Sequence, residues 1–80
     1  MEEEMQLLKN FEEDSKWFHD NLDLLRKQKF TGKIVAIKGG RVISSGENMN
    51  EVIQILESKK EIPQFIFIET VHPEGFTLLL

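Results

Sequence analysis

The chain lacks cysteine entirely. No disulfide framework, thiolate metal cage or cysteine nucleophile can therefore be built from it, which fits a protein of a reducing, cytoplasmic compartment. Long apolar runs are also missing. The longest, Phe65 to Ile68 and Leu78 to Leu80, are far too short to cross a bilayer, and the first residues, MEEEMQLL, are acidic where a secretory leader is basic. No membrane association is expected. There is no low-complexity tract or internal repeat, and 80 residues leave room for one small domain, 1–80, near the size at which a core is only modestly stable and a partner subunit helps.

Charge is plentiful but unevenly placed. Residues 1–25 hold eight acids and two bases, residues 26–41 hold six bases and no acid, and the remainder holds six acids and two bases, for a net −4. The basic block is Arg26, Lys27, Lys29, Lys33, Lys38 and Arg41. Such a block can contact phosphates, as in a nucleic-acid accessory protein. The simpler reading sets it against the acidic N-terminal segment or against another copy, because the chain as a whole repels a polyanion.

From Glu2 to about Lys29, apolar residues recur at Met5, Leu8, Phe11, Phe18, Leu22 and Leu25, one face of an amphipathic helical region. Acids fall early and bases late, matching the helix dipole. Asp14-Ser15 can cap a fresh helix, so a break is expected there. Trp17, Leu7 and Leu24 lie off the main stripe.

Gly32 to Gly46, GKIVAIKGGRVISSG, reads as a β-hairpin turning at Gly39-Gly40, since glycine takes positive φ without strain. A two-residue turn sets Lys38 opposite Arg41, Ile37 opposite Val42, Ala36 opposite Ile43 and Val35 opposite Ser44. One face then carries Val35, Ile37 and Val42, the other Ile34, Ala36 and Ile43, so both are apolar. Lys38 and Arg41, like charges beside the turn, are either solvated or hold an anion together with Lys33.

Met49, Val52, Ile53 and Leu56 mark a helix face, begun by an Asn48/Glu51 capping box. Glu47 and Glu51 at its positive end would oppose a bound phosphate. Pro63 keeps Ile62 out of the helix. Gln64 to Val71 then reads as a strand covered on both faces, Val71-His72-Pro73-Glu74-Gly75 as a turn, and Phe76 to Leu80 as a last strand.

Candidate chemistry is sparse. His72 between Glu69 and Glu74 has the residue types for acid–base work or metal binding, but no second histidine or nucleophile is placed beside it by the sequence, and a turn histidine bonded at a strand end accounts for it. His19 lies on a polar helix side. Ser44-Ser45-Gly46 lacks the glycine-flanked elbow of a nucleophilic serine. No catalytic residue, metal ligand or cofactor site is assigned. Trp17, Phe11 and Phe18 could form a stacking platform, but core packing explains them more simply.

Taken together, Trp17-Phe18, Asn21-Leu22 with Leu25, Gly32 to Lys38 with Gly40 and Val42-Ile43, and Val71 to Gly75 resemble a family of small, largely archaeal proteins classed as a domain of unknown function. The resemblance runs from Phe11 onward, and its most specific parts are the GK-x-VAI hairpin arm and the VHPEG turn. It implies an intracellular, heat-adapted protein and supplies no activity or cofactor.

The expected fold is α+β in the order α-β-β-α-β-β, with a four-stranded, mainly antiparallel sheet in the order 2-1-3-4. Two apolar sheet faces against few helices leave a surplus of apolar surface, so a non-enzymatic, homodimeric protein-interaction module is expected. Trp17, Phe18, Phe76, Leu78 and Leu80 are the candidate partner or dimer surface.

Overall fold

A computed structural model describes residues 2–73. Its elements are α1 (Glu2–Asp20), α2 (Leu22–Leu25), a π turn (Arg26–Phe30), β1 (Ile34–Ile37), β2 (Val42–Gly46), α3 (Met49–Ser58), a 3-10 turn (Pro63–Phe65) and β3 (Phe67–Thr70). The α+β class holds. Among the described residues the sheet, however, has three strands where four were expected: its order is β2-β1-β3, with both pairings antiparallel. The expected strand Phe76 to Leu80 lies outside the described residues.

β1 occupies the centre, and its alternating side chains feed two cores. Val35 and Ile37 pack with Phe18, Leu25, Phe67 and Val71 on the side of α1 and α2. Ala36 packs with Val52, Leu56 and Ile66 on the side of α3. Val35, Ala36 and Ile37 have no exposed surface. The helices thus divide between the two faces, and the surplus of apolar sheet surface expected from the sequence is taken up within the chain.

The hairpin turns at Gly39-Gly40 as expected, with the Lys38 N–H donating to Arg41 O at 3.0 Å. Ile37 opposes Val42, but beyond that point Ala36 opposes Ser44 and Val35 opposes Ser45, because Ile43 is the extra residue of a bulge. The bulge places Ile43 and Ser44 together on the α3 side. There the buried Ser44 hydroxyl donates to Val52 O at 3.1 Å, a bond the expected register would have forfeited. Lys59 Nζ donates to the bulged Ile43 carbonyl.

The expected capping box starts α3: Glu51 N–H donates to Asn48 Oδ1 and Glu47 N–H to Glu51 Oε2, both at 3.0 Å. The carboxylate reaches one residue further back than a simple box. That tight corner requires Gly46, since a Cβ there would sit 2.8 Å from Glu51 Cβ. At the other end Lys60 N–H donates to Glu57 O and Glu61 N–H to Leu56 O, closing the helix in a Schellman motif with Lys60 at φ 62. A lysine is strained in this left-handed conformation. Lys60→Gly is therefore expected to stabilise the fold by about 0.5–1 kcal/mol, read as a higher urea midpoint; a lower midpoint would contradict the assignment.

Two further expectations are corrected. There is no break at Asp14-Ser15: α1 runs unbroken to Asp20 and ends at Asn21, whose N–H and side-chain amide both donate to Trp17 O. Asp14 is drawn into a tertiary contact, leaving no helix start to cap. The strand expected over Gln64 to Val71 is shortened to Phe67–Thr70 because Pro63 opens a 3-10 turn, and this carries Phe65 out to half exposure.

Candidate functional site

The longest dimension of the protein, 40 Å against 25 and 24 Å, reflects a mismatch of element lengths. A 19-residue helix spans about 28 Å, whereas a four-residue strand spans about 13 Å. The apolar stripe of the helical region is consequently divided. Its later part is sheltered, with Phe18 and Leu25 buried and Leu22 packed against the core. Its earlier part is open: Met5 is 72%, Leu8 62% and Phe11 43% exposed.

Phe11 marks the boundary, its ring meeting that of Phe67 in an edge-to-face arrangement with 5.3 Å between the centroids. Towards the N-terminus from it the helix carries Met5 and Leu8; on its other side come Glu12 and Glu13, with Lys9 and Lys16 one turn to either side of them. Ile62 and Phe65, both about half exposed, border a groove of about 270 Å³ that Asn10 and Asp14 of α1 also line. Met5, Leu8 and Phe11 belong to the apolar helical face read from the sequence. Their period was legible; that the sheet ends before they reach it was not.

The sequence-derived surface residues take other places. Phe18 is 3% exposed and belongs to the core. Trp17 is half-buried against the hairpin tip, with its indole 3.4 Å from the position a Gly40 Cβ would occupy. Asp14 secures the same tip, its Oδ1 accepting the Gly40 N–H at 3.1 Å while only 9% exposed. Phe76, Leu78 and Leu80 lie outside the described residues.

The anion-contact residues are not gathered into one site. Lys33 and Lys38 flank opposite ends of β1, and Lys38 Nζ is held by Glu61 at 2.8 and 3.0 Å. Arg41 is exposed at the tip. Arg26, at the other end, bonds Asp23 at 3.1 Å and donates through Nε to His72 O at 2.8 Å. Lys27 and Thr31 line an open cavity of about 440 Å³ with them.

Both histidines of the chain border one groove of about 290 Å³, together with Phe18, Leu22, Glu69 and Thr70. The His19 Nδ1 faces Ser15 O at 2.8 Å, and Glu69 Oε1 accepts the Thr70 N–H at 3.0 Å. This meeting of His19 with His72 had no signal in the sequence, where 52 positions separate them. Among the described residues no group of three or more histidine or carboxylate side chains is placed to hold a metal ion, and no helix is long and apolar enough to cross a membrane.

Fold and surface define a small α+β domain with a three-stranded sheet buried on both sides and an acidic, apolar-striped helix extending past it. A family model matches residues 26–71, more than half of the chain, and the chain belongs to that family, the Family of unknown function (DUF5678). The matched span takes in the π turn, the hairpin, α3 and β3, and leaves α1, α2 and all of the VHPEG turn but Val71 outside it. No curated protein and no solved structure matches the chain.

Proposed function

We propose that the chain is a small, non-enzymatic, homodimeric interaction module that assembles through the N-terminal half of α1. One observation carries the reading: Met5, Leu8 and Phe11 form a helical stripe that the chain's own core leaves open. Exposed single apolar residues are ordinary on a protein surface, but successive turns of one helix aligned this way offer a continuous apolar contact to a partner. The dimer surface thus moves from the sheet, whose faces are covered, to the helix.

Leu8→Glu tests it. The substitution is expected to convert the dimer to a monomer in size-exclusion chromatography with light scattering. At concentrations low enough for the wild type to be monomeric it should leave the thermal midpoint nearly unchanged, because an exposed position costs within about 0.5 kcal/mol. A wild-type chain that is already monomeric at high concentration would overturn the proposal.

A further inference from the structure

The fold brings the acidic and basic segments together at the hairpin tip, where Glu13 and Asp14 share a groove with Lys38, but it forms few ion pairs between them. Among the described residues the ion pairs are Arg26–Asp23, within one helical turn, and Lys38–Glu61. Glu12 and Glu13 of α1 pair with no base, and Lys27, Lys29 and Lys33 pair with no acid. Among the described residues, much of the charge segregation visible in the sequence is thus left without ion pairs, on the helical region that also exposes the apolar stripe.

We infer that α1 docks on a second copy of this chain in a reciprocal, antiparallel manner: the acidic, apolar-striped first half of each α1 lies against the basic segment around Lys27, Lys29 and Lys33 of the other. This rests on the reading of α1 as the assembly surface and specifies what that surface meets. Closed dimers are two-fold symmetric, so whatever one copy offers the other must also offer. Packing stripe on stripe would set one acidic flank against another, and juxtaposed like charges oppose association. An antiparallel alignment instead places the acidic start of each helical region opposite the basic end of its partner, and does so twice.

One apolar contact is available at the receiving end as well: Leu24 is 46% exposed one turn before Lys27. Area favours the reciprocal form. Stable interfaces bury about 800 Å² per partner, well beyond three side chains, whereas here each copy contributes both its stripe and its basic segment.

The test is sedimentation equilibrium of the full chain with charge reversals on each side, E12K/E13K and K27E/K29E, and with all four combined. These positions are exposed, and circular dichroism checks that each variant folds. Wild-type dimerisation is expected to weaken about tenfold between about 50 and about 500 mM NaCl, as the screening length shortens about threefold. Each two-site reversal should weaken it about tenfold at the lower salt, and the four-site variant should recover the wild-type affinity. A dimer indifferent to salt, or one that E12K/E13K tightens, would overturn the reciprocal arrangement and leave assembly through α1 standing. A chain monomeric under all conditions would overturn both.

Discussion

Phe67→Ala is expected to lower stability by about 3–5 kcal/mol, the range for removing a buried phenylalanine. A domain of this length has about 4–12 kcal/mol in total, so the variant should lose between about a quarter and all of its stability. The loss is large because Phe67 joins elements that nothing else joins so directly. It is 6% exposed, its ring lies 5.3 Å from that of Phe11 and 5.5 Å from that of Phe18, and its backbone pairs with Ile37 at the centre of the sheet. Phe65, two residues earlier, provides the control. It is half exposed in the 3-10 turn, and Phe65→Ala should cost under about 1 kcal/mol. Urea melts followed by circular dichroism separate the two, and equal losses would contradict the short β3 and restore the longer strand that the sequence suggests.

Asp14→Ala is expected to cost about 1.5–3 kcal/mol, the range for losing a charged hydrogen-bond partner at a buried site. Its carboxylate is the contact by which the middle of α1 holds the hairpin tip, through the Gly40 N–H. At φ 73, Gly40 cannot be replaced without strain, and the Trp17 indole closes over it. Asp14→Asn retains an acceptor and should lose less than half as much. Glu13→Ala, at the exposed neighbouring position, should change little. The thermal midpoint is the readout, at roughly 4–8 °C per kcal/mol for a domain of this size. If Asp14→Ala and Glu13→Ala behaved alike, the helix-to-hairpin tether would be refuted.

Legibility in the sequence followed the range of the interaction. Local signals were sound: Gly39-Gly40 turned the hairpin, Asn48 and Glu51 started α3, and alternation along Ile34 to Ile37 assigned side chains to the right faces. Errors arose where a local signal met a tertiary partner. Asp14 has the chemistry of a helix cap, yet it sits in mid-helix because a glycine amide 26 residues away takes its carboxylate. Ser44 was expected opposite Val35, until the Val52 carbonyl of α3 made a bulge the better solution.

The reach of the helical stripe was a question of relative length. Periodicity from Met5 to Leu25 is continuous, and nothing in it records that the sheet shelters only the later part. The surplus of apolar surface expected on the sheet is not found there, because α1 and α3 divide its faces between them; the exposed apolar side chains are Met5, Leu8 and Phe11 on α1 and, away from it, Leu24, Met49, Ile55, Ile62 and Phe65. The convergence of His19 and His72 likewise depends on α1 and β3 sharing one core, which no local pattern encodes.

The central claim is that the first half of α1 is covered by a second copy in solution. Amide hydrogen exchange of α1, measured on the wild-type chain across a dilution series, tests it most directly. Exposed helical backbone beyond the core opens readily and exchanges fast. If a second copy covers it, protection of residues 5–11 should rise with protein concentration while that of β1 stays constant. Protection of residues 5–11 that is low and identical at every concentration would contradict the account.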